Sequence, residues 1–215
     1  MSSLSDYEEI IIPTARGDVG GRLYTCPHAI KGVIWIGGMG GFWDGPAGNL
    51  YTHLSESLLQ EKITSLRLNV RCPTNLDESV LDTLAAIEFL RERRIRGIGL
   101  VGHSFAGAVA IRSAVYSTLP STVVTLAVQS QGADIVGQLP SHCSLLLIHG
   151  TADEVLHVSN SEYVAALAAV PKQLLLLQGA KHTLDEAAND IHREVEQWLR
   201  AHVRPMDQVT LPLAG

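Results

Sequence analysis

Short apolar runs alternate with segments of helical periodicity along most of the chain. Near the N-terminus, the runs YEEIIIP and GGRLYTC flank a turn-rich stretch and predict an antiparallel β-hairpin. Further strands are predicted by the apolar runs KGVIWI, ITSLRL, GIGLVG, STVVTLAV, CSLLLIHG and KQLLLLQG. Between these runs, apolar residues recur at helical spacing and predict helices over residues 47–61, 76–93, 105–117, 159–169 and 184–202.

This alternation predicts an α/β protein, a three-layer α/β/α sandwich in which helices cover both faces of a mostly parallel sheet. Ligands bind such sheets beyond the carboxyl ends of the strands, so polar motifs that directly follow a strand are the first candidates for a functional site. We expect a single domain over residues 1–203 and a loose C-terminal tail over residues 204–215.

Length, composition and charge agree with this fold and exclude one class of partner. The chain has 215 residues, enough for one domain with a buried core. Hydrophobic residues make up 46% and charged residues 18%, as in ordinary globular proteins. The formal net charge of −6 argues against a nucleic-acid partner, because phosphate binding requires clustered Lys and Arg.

The cysteines and the N-terminus suggest a cytoplasmic location. Cys26, Cys72 and Cys143 are odd in number and scattered, which fits reduced thiols better than a disulfide framework. The first residues carry acids where a signal peptide carries bases and an apolar stretch. No apolar run approaches the length of a membrane span. We therefore expect a soluble, cytoplasmic protein.

The segment GIGLVGHSFAG, residues 97–107, admits two interpretations. Gly97, Gly99 and Gly102 have the spacing of a dinucleotide-binding turn. In that motif the first glycine follows a strand and opens a helix, whereas here the glycines lie along the predicted strand itself. An acidic residue to bind the ribose is also expected about 20 positions later. None is present near that position, so we reject the nucleotide-binding interpretation.

The second interpretation is a nucleophile elbow, in which Ser104 lies between a strand and a helix. A serine on such a strained turn requires small residues two positions before and three after, since strand and helix pass closely. Gly102 and Gly107 meet this requirement, and Ala106 occupies the place of the motif's usual second glycine. By itself, the motif also fits a glycine-rich turn with an unreactive serine.

Two later motifs supply the partners that a nucleophilic serine needs. A serine hydroxyl is a weak nucleophile unless a histidine accepts its proton and a carboxylate orients the histidine. Asp153 follows the strand of LLLIHGTADEV, and His182 follows the last strand, in LLLLQGAKHTL. We predict the catalytic triad Ser104, Asp153 and His182, with Asp134 and the adjacent Glu154 as less favoured acids.

The remaining histidines are interpreted as structural. His103, next to the serine, is expected to pack or to form a hydrogen bond rather than to act as a base. His149, which precedes Gly150 at a strand end, is expected to order the loop of the acid. No pair of histidines has a metal-ligand spacing, so no metal is predicted.

With the motifs GHSFAG, HGTADEV and GAKHTL, the chain resembles the α/β-hydrolase fold family over residues 8–202, in particular its small, uncapped, dienelactone hydrolase-like members. The resemblance implies an eight-stranded sheet in which only the second strand is antiparallel. It also implies an oxyanion hole formed by the backbone N–H groups of Phe105 and of a residue in the glycine-rich loop after the third strand. Aligning the loop with the family's pattern places this second donor at Met39, with Gly38 or Gly40 as alternatives.

The glycine-rich loop also suggests substrate contacts. Phe42 and Trp43, in GGMGGFWDGPAG, would form apolar walls beside the acyl site, or would simply pack under the loop. The connection over residues 129–142 is too short for a helical lid, which predicts a site open to solvent.

These features predict a carboxylesterase-like serine hydrolase that cleaves a small-molecule ester through an acyl-enzyme, without cofactor or metal. A thioesterase, an amidase or an acyltransferase would use the same residues, and a non-catalytic ligand-binding protein on this fold is a further alternative. The sequence specifies neither the substrate nor the oligomeric state.

Overall fold

The computed structural model describes residues 7–37 and 43–206. Its eight strands form one sheet in the order β1-β2-β4-β3-β5-β6-β7-β8. The strands are β1 (Glu8–Ile12), β2 (Val19–Tyr24), β3 (Lys31–Ile36), β4 (Ile63–Asn69), β5 (Gly97–His103), β6 (Pro120–Leu126), β7 (Ser144–Gly150) and β8 (Lys172–Leu177). The helices are α1 (Pro46–Ser57), α2 (Leu76–Glu92), α3 (Phe105–Val115), α4 (Ser159–Leu167) and α5 (Ala188–His202).

Strand β2 alone runs against the other strands of this sheet. It pairs in antiparallel fashion with β1, with Ile10 opposite Gly21, and with β4, with Gly21 opposite Leu68. The pairs from β4 through β3, β5, β6 and β7 to β8 are all parallel. The predicted hairpin and the strand directions implied by the family resemblance are therefore confirmed.

The sheet separates two apolar cores, as expected for a three-layer sandwich. On one face, α1 and α5 cover residues such as Trp35 and Val101. On the other face, α2, α3 and α4 cover residues such as Ile34 and Leu100. Each central parallel strand contributes side chains to both cores, which explains why these strands read as continuous apolar runs rather than alternating ones.

Two helices start differently from the prediction, in both cases beside the candidate site. The first three residues of α1 after Pro46 have left-handed backbone angles, with φ of 52° at Ala47, 63° at Gly48 and 66° at Asn49. The last helix begins at Ala188 rather than Leu184, because Leu184 is also left-handed and a short 3₁₀ helix follows it over Asp185–Ala187. Periodicity does not show such local turns, since they depend on contacts between distant segments.

The glycines at the start of β5 have a packing role. A Cβ atom at Gly97 would lie only 2.1 Å from the carbonyl oxygen of Arg204, so glycine permits the chain after α5 to cross the strand. Residues 204–206 are held there, since Arg204 N–H donates to Ser121 Oγ at 2.9 Å and Met206 N–H donates to Arg96 O at 3.0 Å. The rest of the predicted tail, residues 207–215, lies outside the described residues.

The connection from β6 to β7 contains a single short 3₁₀ helix, Asp134–Gln138. It is too short to form a lid, and the described chain has no cap domain. None of the helices within residues 7–37 and 43–206 is long and apolar enough to cross a membrane.

Candidate active site

Ser104 lies on a strained turn between β5 and α3. Its backbone has φ 57° and ψ −120°, a conformation that L-residues rarely adopt. A Cβ atom at Gly102 would lie 2.1 Å from the carbonyl oxygen of Ala106, and one at Gly107 would lie 2.8 Å from a methyl group of Val128. The two glycines are therefore needed for the close passage of strand and helix, as the elbow motif predicts.

Asp153 and His182, which follow β7 and β8, form a hydrogen bond of 2.7 Å between Oδ2 and Nδ1. The other carboxylate oxygen, Oδ1, accepts hydrogen bonds from the backbone N–H groups of Val155 and Leu156, each at 2.8 Å. Burial opposes ionisation of this carboxyl, but the hydrogen bonds from His182 and the two backbone groups outweigh it, and the pKa of Asp153 is lowered.

The two alternative acids lie elsewhere. Asp134 and Glu154 are both exposed, and neither forms an ion pair or a hydrogen bond with His182 among the residues that the structure describes. The structure thus brings Asp153 to the histidine and leaves the other two carboxylates in solvent.

Ser104 and His182 line the same cavity, which has a volume of about 410 Å³. Its apolar wall includes Pro46, Phe105 and Val155, and its polar wall includes Asn49, Thr183 and Asp185. The Ser104 hydroxyl has no hydrogen bond to the described residues, including His182. In an enzyme without substrate, the bond between nucleophile and base is often long and shortens when substrate binds.

One wall of the cavity is the left-handed turn over residues 46–49, which is tied to the segment after His182. Ala47 N–H donates to Thr183 O at 2.8 Å, and Gly48 N–H donates to Asp185 Oδ1 at 2.9 Å. His192 Nε2 on α5 donates to Ala47 O at 2.7 Å. These contacts fix the strained turn, so the cavity wall and the histidine loop form one unit.

Two further histidines contact the predicted triad. His103 Nε2 donates to the backbone oxygen of His182 at 2.9 Å, and the two rings lie 4.7 Å apart. Burial lowers the pKa of His103 to about 4. His149 is fully buried and contacts both Asp153 and the carbonyl of Leu156. Both residues thus have the structural roles that the sequence suggests.

Of the two predicted oxyanion donors, Phe105 lies within the described residues and Met39 does not. Phe105 is the first residue of α3, where a backbone N–H has no acceptor within the helix and is free to bind a substrate oxygen. Met39, its alternatives Gly38 and Gly40, and the predicted wall residue Phe42 lie outside the described residues.

Trp43, the other predicted wall residue, is not among the residues that line the cavity. Its ring lies 4.7 Å from the guanidinium of Arg22, so it packs beside the loop, the alternative that the sequence left open. Its carbonyl accepts a hydrogen bond from Arg67 Nε at 2.8 Å, and Arg67 also binds Asp44 Oδ1 at 2.5 Å. Trp43 and Asp44 of the glycine-rich loop are therefore bound by a buried arginine.

Sequence reasoning missed several residues around the cavity. Arg67 is one of them, and a single charge within the apolar strand ITSLRL could have indicated it. Asn49, Thr183 and Asp185 had no detectable signal, because ordinary polar residues become site residues only through the approach of α1 to the histidine loop. Among the described residues, no group of three His, Cys, Asp or Glu side chains is placed to bind a metal ion.

Comparison with known proteins gives structural similarity without sequence similarity. No protein family model and no curated protein matches the sequence. Dienelactone hydrolase from Anabaena variabilis superposes with a TM-score of 0.81 at 16% identity, covering 93% of this chain and 99% of that one. Est1E from Butyrivibrio proteoclasticus gives a TM-score of 0.78 at 14% identity, with 89% and 97% covered.

The protein XC6422 from Xanthomonas campestris, a serine hydrolase without a lid, gives a TM-score of 0.75 at 19% identity, with 92% and 95% covered. Together with the sheet order and the absence of a cap domain in the described chain, these similarities establish the architecture. The protein has the α/β-hydrolase fold in its uncapped, dienelactone hydrolase-like form.

Proposed function

We propose that the protein is a serine hydrolase that cleaves carboxylic esters of small molecules. The observation that carries this proposal is the convergence of three strand ends on one cavity. Ser104 follows β5 on a strained turn, His182 follows β8 beside it, and Asp153 follows β7 at 2.7 Å from His182 Nδ1. The hydrolases among the structural neighbours support the same chemistry.

In the proposed acylation step, Ser104 Oγ attacks the ester carbonyl carbon while its proton moves to His182 Nε2. The hydrogen bond from Nδ1 to Asp153 leaves Nε2 as the basic nitrogen on the ring. The carbonyl oxygen becomes an oxyanion, which the N–H of Phe105 would stabilise together with a second donor, proposed at Met39. Collapse of the intermediate breaks the bond to the alcohol, whose oxygen takes the proton from Nε2.

Deacylation uses the same groups in the same order. A water molecule gives one proton to His182 Nε2 and attacks the acyl carbon, and the second intermediate then releases the carboxylic acid. The proton returns from Nε2 to Ser104 Oγ. Asp153 stays ionised throughout and stabilises the imidazolium that forms in each step, in line with its lowered pKa. Apart from the ester and this water molecule, every group in the proposed steps belongs to the chain.

The site is open to solvent in the described chain. Val155, on the acid loop, lines the cavity and is 69% exposed, and the connection from β6 to β7 provides no lid. An ester can therefore enter directly from solvent, and its apolar part would rest on Pro46, Phe105 and Val155.

The proposal is tested with a fluorophosphonate probe and a panel of p-nitrophenyl esters of increasing chain length. We expect the wild-type protein and the surface variant Ser159→Ala to be labelled and to hydrolyse the shorter esters. We expect Ser104→Ala to be neither labelled nor active. A wild-type protein that binds esters without labelling or turnover would instead be a binding protein on this fold. Transfer of the acyl group to added alcohols in preference to water would make it an acyltransferase.

A further inference from the structure

His149 lies at the end of β7 and contacts the buried carboxylate of Asp153. It is fully buried, and its Nε2 lies 3.2 Å from Asp153 Oδ2, the oxygen that also binds His182. The same nitrogen is 2.9 Å from the carbonyl oxygen of Leu156. The other ring nitrogen, Nδ1, is 2.7 Å from the hydroxyl of Ser161 on α4. All polar atoms of this side chain thus have partners.

These partners determine where the ring carries a proton. The two neighbours of Nε2 are a carbonyl oxygen and a carboxylate oxygen, and both are acceptors only. Nε2 must therefore be protonated. Ser161 can donate its hydroxyl proton to Nδ1, which completes the arrangement. The N–H edge of His149 consequently presents partial positive charge to the carboxylate.

The contacts reach Asp153 by two routes. Directly, Nε2 lies 3.2 Å from Oδ2, an electrostatic contact, because the Nε2–H itself donates its hydrogen bond to the carbonyl of Leu156. Indirectly, Nε2 holds the carbonyl of Leu156, whose own N–H donates to Asp153 Oδ1 at 2.8 Å. His149 therefore contributes to the orientation of the carboxylate. Its ring also interacts electrostatically with Oδ2, the same oxygen that accepts the hydrogen bond from His182 Nδ1.

We propose that His149 is a positioning residue that orients Asp153 and limits how strongly Asp153 stabilises the protonated form of His182. This inference rests on the proposed function, in which His182 accepts the proton of Ser104. The partial positive charge of the His149 ring beside Oδ2 stabilises the carboxylate independently of His182, so less of its charge is available to the imidazolium. Because its protonated form is less strongly stabilised, His182 returns its proton to the leaving group more readily.

Other titratable groups near the pair are accounted for. His103 packs on the ring of His182 from β5, and its lowered pKa leaves it neutral over the range in which histidine normally titrates. Lys181 and Asp185 lie on the same loop as His182, and Glu154 is exposed beside Asp153. The variants described below leave all of these groups unchanged.

The test compares two amide substitutions that separate the two nitrogens of His149. His149→Gln places an amide nitrogen near the position of Nε2 and loses the bond to Ser161. His149→Asn is one carbon shorter, so it can contact Ser161 and cannot reach Asp153 or Leu156. His157→Gln removes an exposed histidine from the same loop and serves as the control. Circular dichroism and thermal unfolding verify that each variant is folded.

Two quantities are measured, kcat for the best ester of the panel and the pH at which the His182 ring titrates by NMR. For His149→Asn we expect the titration to move upward by about half a pH unit. We expect its kcat to fall roughly 10-fold, because the carboxylate loses both the electrostatic contact with Nε2 and the support that Nε2 gives to Leu156. For His149→Gln and His157→Gln we expect values close to those of the wild type.

The proposal is overturned if the two amide variants behave alike, or if His149→Gln is the more impaired of the two. Either result would show that packing or the Ser161 bond, rather than the contact with Asp153, is what matters. If His149→Asn does not fold, a shifted titration in His149→Gln overturns the proposal by itself. The NMR titration needs no substrate, so it decides the role of His149 even if the wild type proves to have no esterase activity.

Discussion

The Nε2 atom of His103 donates a hydrogen bond of 2.9 Å to the backbone carbonyl of His182. The residue directly before the nucleophile therefore holds the residue proposed as the base. Because β5 and the loop after β8 are linked in this way, the relative position of Ser104 and His182 does not depend on the loop alone.

The burial of His103 makes stability depend on pH. The pKa of His103 is lowered from its ordinary value of 6.5 to about 4 by burial, so the unfolded chain binds a proton more readily than the folded one. Stability is therefore lost as the pH falls from about 6.5 towards 4. At pH 5 we expect a loss on the order of 1 to 2 kcal/mol relative to pH 7. Urea unfolding of wild type and His103→Gln measures it.

The His103→Gln variant keeps a donor for the carbonyl of His182 and removes the titration. Its free energy of unfolding should change less between pH 7 and pH 5 than that of the wild type. Equal losses in the two proteins would assign the pH dependence to other groups.

The three residues of the proposed triad should act as a unit. We expect Ser104→Ala, His182→Ala and the double variant to lose similar activity, on the order of 10⁴ to 10⁶ in kcat. Asp153→Asn should cost about 10⁴, because the amide cannot hold the histidine in the correct tautomer. Steady-state kinetics on one ester checks all four, with Asp134→Asn as the matched control. A nearly silent Asp153→Asn beside a severe Asp134→Asn would show that the acid is wrongly assigned.

Activity should depend on a single ionisation between pH 5 and 8. The lowered pKa values keep Asp153 ionised and His103 neutral throughout this range, so neither group accounts for a change of activity within it. We expect kcat/KM to rise with pH, because only a neutral histidine can accept the proton of Ser104. A pH profile in a constant-ionic-strength buffer tests this. A profile that is flat would contradict a histidine base. A plot of log(kcat/KM) against pH with a slope of two would show that two groups must lose protons.

Arg67 should matter for catalysis although it lies outside the cavity. Its side chain is buried and binds Trp43 O, Asp44 and the hydroxyl of Tyr24, so it anchors the end of the glycine-rich loop. We expect Arg67→Met and Arg67→Lys to lower kcat by up to about 10², since a misplaced loop loses the proposed second oxyanion donor. Lysine has its three donors on a single nitrogen and cannot reproduce the planar guanidinium that reaches all three acceptors at once.

The control for this experiment is Arg200→Met, which removes an exposed ion pair with Glu61. Its kinetics should equal those of the wild type. If both Arg67 variants fold and retain full kcat, the loop is positioned by other contacts.

The charge of the cavity should select among substrates. Among the described lining residues Asp185 is the one carboxylate and no Lys or Arg is present, and residues 38–42 of the glycine-rich loop include no charged residue. We expect acetylcholine to have a KM several-fold lower, about five-fold at low salt, than its uncharged isostere 3,3-dimethylbutyl acetate. An acetate ester that carries a carboxylate should bind more weakly than either.

Asp185→Asn provides the matched variant, since its amide oxygen can still accept the N–H of Gly48. In this variant the difference between the two isosteric esters should disappear. A preference for the carboxylate ester in the wild type would contradict the prediction that Asp185 sets the charge preference of the cavity.

The order of strands and helices and the chemistry of the three candidate residues are readable from the sequence. The apolar runs predicted the sheet because parallel strands are buried on both faces and leave a continuous signal. Gly102, Ser104 and Gly107 were recognisable because the strained turn tolerates few other residues, and the glycines indeed face backbone and methyl groups at short distance. Asp153 and His182 were found because each follows a strand directly.

Tertiary structure alone decided the surroundings of these residues. The turn over residues 46–49 became a cavity wall because its backbone binds Thr183 and Asp185, more than 130 positions away in the chain. Trp43 packs on Arg22 rather than on the substrate side, since a cation lies within reach of its ring. Hydrogen bonds and ring contacts between distant segments leave no periodic trace in a sequence. These contacts depend on how the helices pack against the sheet. The walls of the cavity and the partners of Asp153 could therefore be identified only from the folded chain.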